Sequence, residues 1–153
     1  MKKNAGFSLI ELIITVAVAA TVMWFAIPNL NELVRNNRMV AQVNDVVTAL
    51  NFARSEAIKR GSQVQIVAAG GSWASGWDVQ LIDGTVLRTF PALGDGMTLT
   101  EAMNATTITY DGTGRVLTAA TFSLCDSKRT GETGRSISVI ATGRVSTSDL
   151  TCS

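Results

Sequence analysis

The sequence predicts an α+β chain: one long N-terminal helix, with a transmembrane half and an amphipathic half, packed on a mostly antiparallel β-sheet domain. Three observations carry this. Residues 6–30 are a nearly unbroken apolar run in which Glu11 is the only charged residue. Residues 31–60 then adopt a helical period, with apolar side chains three and four apart, that stops at Gly61. Beyond Val64, short β-branched runs alternate with glycine-containing turns, and strands packed on one helix stripe make an α+β domain.

The apolar run opens Gly6-Phe7-Ser8-Leu9-Ile10-Glu11-Leu12 and continues to Pro28. About 20 apolar residues are what a helix needs to cross the hydrocarbon core of a bilayer. An acid inside such a span costs about 2.5–3.5 kcal/mol at the bilayer centre, and less toward the interface. A simple anchor has no use for that acid, so Glu11 calls for a cation. Cleavage between Gly6 and Phe7 supplies one, because the new amine at Phe7 stands one helical turn from Glu11. The pair can form within one helix or between staggered helices of packed molecules. The plainer alternative is an uncleaved signal anchor in which Glu11 is merely tolerated. A secretory signal fits less well, since the run exceeds the usual h-region of about 7–15 residues and no small-x-small site precedes Pro28.

Composition bounds the rest. The 153 residues suffice for one helix and one small domain, not for two independent cores. Thirteen Lys and Arg against twelve Asp and Glu leave a net charge of +1. Loss of Lys2 and Lys3 with residues 1–6 would change this to 11 against 12, a net charge of −1. Overall charge therefore gives no reason to expect nucleic-acid binding, although a local patch could still provide it. The absence of His excludes His-based triads and His metal ligands. The carboxylates are scattered, and Gly70-Gly71 and Gly94-Asp95-Gly96 read as turns rather than a phosphate loop. No enzymatic role, cofactor or metal is expected.

Lys2 and Lys3 hold the N-terminal flank in the cytoplasm by the positive-inside rule, so the domain after residue 30 faces the periplasm. Disulfides persist there. Cys125, in an expected strand, and Cys152, at the C-terminus, most simply form one bridge, which would constrain the unfolded chain by about 3 kcal/mol. The alternative is two free thiols.

Within the helix, Pro28 removes a backbone hydrogen bond and should kink or loosen it. Val40, Val43, Val47, Leu50, Ala53, Ala57 and Ile58 form the expected stripe of the second half. Strands are expected at Val64–Ala68, Trp77–Ile82, Thr85–Phe90, Met97–Thr100, Thr107–Tyr110, Phe122–Cys125 and Ser136–Ile140. Asp83-Gly84 reads as a two-residue type I′ hairpin turn. Trp73 and Trp77 read as sheet packing rather than a ligand platform.

Lys2-Lys3, Gly6, Phe7 and Glu11 before the apolar run closely resemble the class III signal of type IV prepilins and type II secretion pseudopilins. Ala53-Arg54-Ser55-Glu56-Ala57-Ile58, together with Trp73-Ala74-Ser75-Gly76-Trp77, resembles the minor-pilin and pseudopilin branch called GspH/FimT, to which FimU belongs. The resemblance implies a leader at residues 1–6, a transmembrane assembly helix at 7–30 and a periplasmic pilin-like domain at 31–153. It implies cleavage after Gly6 and N-methylation of Phe7 by a prepilin peptidase, with Glu11 guiding the subunit into a growing filament. It further implies a single-pass inner-membrane subunit that joins other pilins or pseudopilins in a filament. On this reading the chain is a minor pilin of a type IV pilus, acting at the start or tip of assembly. The alternatives are an H-type pseudopilin of a type II secretion system and a DNA-binding minor pilin of natural transformation.

DNA enters through three Thr-Gly-Arg tripeptides, Thr113–Arg115, Thr133–Arg135 and Thr142–Arg144. If these converge with Lys128 and Arg129, they could grip phosphates through charge and turn amides. The candidate contacts are Lys128, Arg129, Arg135 and Arg144. Some family members in transformation use a Gly-Arg-x-Arg segment, but here Gly143-Arg144-Val145-Ser146 lacks the second arginine. Asp126, Glu132 and Asp149 dilute the patch further. Weak or absent DNA binding is expected.

Overall fold

The computed structural model describes residues 8–94, 96–128, 131 and 133–152, with only the backbone described at 25–29 and 133. The chain divides into two compact units, Met1–Asn37 and Arg38–Ser153. Helix α1 (Leu9–Arg60) begins in the first and ends in the second.

The first unit is helix throughout its described length beyond Ser8. Ser8 caps it, its Oγ accepting the Glu11 N–H at 3.3 Å. With Glu11 in the first turn this is the Ser-x-x-Glu spacing of a capping box, where an acid also suits the positive end of the helix dipole. The helix passes through Pro28 without ending. Among the described residues no helix is long and apolar enough to cross a membrane. The predicted span 7–30 includes Phe7 and the side chains of 25–29, which lie outside the described residues.

In the second unit α1 buries Met39, Val43, Val46, Leu50, Ala53 and Ala57, a run of alternating four- and three-residue steps. This corrects the expected stripe: Val40 and Ile58 are about half exposed, and Met39 and Val46 take their place. A fully buried Val or Leu contributes roughly 1.5–3 kcal/mol, so the regular period prevails over the longer but irregular apolar set. The helix ends in a Schellman motif, with Gly61 at φ +62° and the Ser62 N–H bonding to the Ala57 carbonyl at 3.3 Å.

Eight antiparallel strands follow: β1 (Val64–Ala68), β2 (Trp77–Leu81), β3 (Val86–Phe90), β4 (Met97–Glu101), β5 (Thr107–Tyr110), β6 (Ala120–Asp126), β7 (Thr133–Val139) and β8 (Val145–Thr151). They form two four-stranded sheets, ordered β3-β2-β1-β5 and β4-β6-β7-β8. One core takes side chains from α1 and both sheets. Trp73 joins the sheets, packing edge-on against Phe122 of β6 at 4.9 Å and tilted against Trp77 of β2 at 6.4 Å, while Trp77 stacks on Phe90 of β3.

Two local expectations change. The β2–β3 turn is not type I′, because Asp83 is not among the residues of positive φ. Instead the Gly84 N–H bonds to the Leu81 carbonyl, Gly84 takes φ +90°, and Leu81 N–H reaches the Thr85 carbonyl. This is a type I turn followed by a left-handed glycine. Asp83 Oδ1 accepts the Thr85 N–H at 2.8 Å, an Asx interaction that stabilises the wider turn and lowers the pKa of the Asp83 carboxyl. Strand β8 was not expected, since Val145-Ser-Thr-Ser-Asp-Leu-Thr151 lacks an apolar alternation. It is an edge strand, exposed over most of its length, and one edge partner suffices to hold it.

Candidate functional site

Three regions carry the residues singled out by sequence. The first is the start of α1. Gly6 and Phe7 lie outside the described residues. Glu11 is exposed, as is every residue from Ser8 to Trp24, including Leu9 at 79% and Trp24 at 81%. An apolar helix bare on all sides is a surface that requires an apolar surrounding, either lipid or other helices. The Ser8 cap is legible in the Ser8-to-Glu11 spacing.

The second region is the turn end of the β7–β8 hairpin. Two of the three Thr-Gly-Arg tripeptides meet here. Arg54 of α1 donates from Nε to the Gly114 carbonyl at 3.0 Å and from Nη2 to the Thr142 carbonyl at 3.3 Å. Gly143, at φ +78°, lies so close that an added Cβ would collide with the Gly114 carbonyl oxygen. Asp111 shapes the neighbouring turn, accepting the Thr113 hydroxyl at 2.6 Å and the Thr113 and Arg115 N–H groups. These bonds, the Thr113 hydroxyl foremost, hold its carboxyl below the ordinary Asp range. Tyr110 is fully buried beside this cluster, and burial pushes its phenol up to about 12, slightly opposed by the Arg54 charge. Its hydroxyl has no hydrogen-bond partner among the described residues.

Arg115 and Arg144 are both exposed on these turns. The Lys59 and Arg60 end of α1 is adjacent, with Gly61 packed against Gly112 and both cations paired to Glu56. From Arg38 to Cys152 the chain carries ten basic and ten acidic residues. Their balance conceals this local excess of Arg54, Lys59, Arg60, Arg115 and Arg144 over Glu56 and Asp111. The half-buried Arg54 clamp is not an expectation of the sequence. Its signal was an arginine between Ala53 and Ala57 on the core-facing side of the helix.

The third region is the opposite end of the same hairpin. Cys125 and Cys152 form a disulfide with their Cα atoms 5.9 Å apart. Gly134 of the remaining Thr-Gly-Arg lies beneath it, where an added Cβ would meet both sulfurs and the Leu124 carbonyl. Arg135 pairs with Asp149 across the β7–β8 ladder. Lys128 folds its stem over Gly96, and its N–H donates to the buried Asp126 at 3.0 Å. Arg129 lies outside the described residues. Arg135 and Arg144 are thus separated along β8 by five residues, roughly 17 Å at strand rise. Two tripeptides converge, and the third does not join them. Among the described residues no cluster of acidic or Cys side chains could hold a metal ion.

A long N-terminal helix, bare and apolar at its start and packed at its end on antiparallel sheets, defines a pilin-type structural subunit. A family model described as type II transport protein GspH matches residues 42–143, and the prokaryotic N-terminal methylation motif matches residues 1–27. The chain belongs to the GspH family and carries the N-terminal methylation motif of membrane-anchored subunits destined for the periplasm or a pilus. It is also similar to the type IV minor pilin FimU of Pseudomonas aeruginosa in two crystal forms, at 25% identity in each. One match has a TM-score of 0.65 and covers 73% of this chain and 89% of that one. The other has a TM-score of 0.58 and covers 69% and 88%. No curated protein sequence matches the chain.

Proposed function

We propose that this chain is a minor pilin of a type IV pilus, a non-catalytic subunit that acts at the start or tip of filament assembly. The observation that supports it most is the coexistence, on one chain, of a methylation-type leader, an apolar helix start whose residues 8–24 are all exposed, and a globular unit similar in fold to FimU. In this mechanism a prepilin peptidase cuts after Gly6 and methylates the Phe7 amine. The exposed apolar residues Leu9 to Trp24 leave lipid and pack against the helices of neighbouring subunits. The Ser8 hydroxyl caps the helix start by accepting the Glu11 N–H, and the Glu11 carboxylate is offered to a Phe7 amine, its own or a neighbour's.

The test separates insertion from assembly. Gly6→Ala should leave a precursor whose N-terminal mass still includes residues 1–6. Glu11→Ala should insert into membrane yet be missing from sheared filaments. Wild-type levels of that variant in filaments would remove the proposed role of Glu11. An N-terminus beginning at Met1 in purified wild-type protein would end the assembly reading. The GspH match also suits an H-type pseudopilin of a secretion system, and deletion phenotypes in piliation and in secretion distinguish the two.

A further inference from the structure

Strand β4 is the outer strand of its sheet, paired only with β6. The register shows which backbone groups it leaves unused. Ser127 N–H bonds to the Gly96 carbonyl and Ala102 N–H to the Thr121 carbonyl, so the even-numbered residues of β4 point their backbone groups at β6. Met97, Leu99 and Glu101 therefore point theirs outward. Turns at the two ends occupy part of this edge: Met97 N–H donates to the Gly94 carbonyl, and the Glu101 carbonyl accepts from Asn104 N–H. Between them, the N–H and C=O of Leu99 and the N–H of Glu101 have no backbone partner among the described residues.

This gap opens into a groove of about 210 Å³. It is lined by Leu99, Thr100 and Glu101 of β4 together with Ser72, Trp73 and Thr106. Trp73 is fixed there by its indole N–H, which donates to the Ala105 carbonyl at 2.7 Å. Glu101, though buried, spends its carboxylate on the N–H groups of Met103, Ala105 and Thr121, which holds this lining in place. Hydroxyls of Ser72, Thr100 and Thr106 line it, and among the described residues no Lys or Arg does.

We propose that the groove is a docking site for a short extended segment of a neighbouring subunit, which pairs with the outer edge of β4 at Leu99. Open backbone groups on a walled strand edge are complementary to another extended backbone, whose own N–H and C=O groups match them. With its carboxylate already bonded and no cation among the described lining residues, the groove favours neutral side chains in that segment and disfavours acidic ones. Strand β8 also ends a sheet, but it is exposed over most of its length. The inference rests on the reading of the chain as a filament subunit.

The test uses the full chain in cells that assemble filaments. A benzophenone side chain is placed at the exposed Thr100 or, as a control, at Ser146 on β8. Light should join the Thr100 probe to another subunit, mapped by mass spectrometry to an extended segment, and the Ser146 probe should not give that product. Ser72→Trp and Thr106→Trp, both at exposed positions that fill the groove, should abolish the product while the Cys125–Cys152 bridge still forms. Cross-links confined to the same chain, or to lipid, would overturn the proposal. So would a product that survives both fillings. Sheared filaments are probed for the chain in parallel. A chain present in filaments without the cross-link removes the docking site alone, whereas a chain absent from filaments removes the subunit reading as well.

Discussion

The two ends of the β7–β8 hairpin carry the same tripeptide, Thr-Gly-Arg, and they use its glycine for different reasons. At the turn end, Gly143 is needed both for its left-handed backbone, φ +78°, and for its closeness to the Gly114 carbonyl. At the other end, Gly134 lies within a strand, and the room it leaves is filled by the Cys125–Cys152 bridge. The arginines differ as well. Arg144 is exposed on a bare turn, while Arg135 is paired with Asp149. The same tripeptide therefore serves two different local geometries, a left-handed turn packed on a backbone carbonyl and a strand position under a disulfide.

The largest expected effect that would break this comparison is at the turn end. Gly143→Val meets both penalties, a forced left-handed backbone for a β-branched residue and a collision with backbone, and should cost about 3 kcal/mol or more in chemical denaturation. A loss below about 1 kcal/mol would mean that the two turns can part freely. Next comes the disulfide end. Cys152→Ser should cost about 2–4 kcal/mol, and hydrogen exchange should quicken in β8 before it does in β6. Uniform quickening would show that the bridge constrains the whole domain rather than its edge.

A smaller effect sharpens the role of the clamp. Arg54→Lys keeps the charge but cannot hold two carbonyls with one planar fork, so it should cost about 1–2 kcal/mol and leave the bridge intact. Full stability in that variant would reassign the meeting of the two turns to glycine packing alone. Smallest of all, Arg144→Ala should leave the melting curve unchanged, because the side chain is exposed. We propose that DNA binding by the protein is weak or absent and that this variant lowers whatever exists. Tight binding in a gel shift at moderate salt would overturn that reading.

The sequence by itself determined what depends on local period. The long helix, its stop at Gly61, seven of the strands and the pairing of two cysteines in an oxidising space were all readable. Each follows from residues within a turn or two of one another, or from a scarcity of choices. The shift of the helix stripe to Met39 and Val46 was within reach, since 39, 43, 46, 50, 53 and 57 keep the cleaner period.

Only the tertiary structure decided what depends on long-range pairing. It split the strands into two sheets, and it made a polar tail into β8 because one edge partner supplies the hydrogen bonds that its side chains do not advertise. It brought Gly114 to Gly143 under Arg54 and kept Gly134 apart. It also gathered cations that an even count of charges had hidden. The physical reason is common to all of these. A backbone hydrogen bond or a buried carbonyl accepts any residue that geometry delivers, so the sequence marks that a partner is needed and the fold chooses which one.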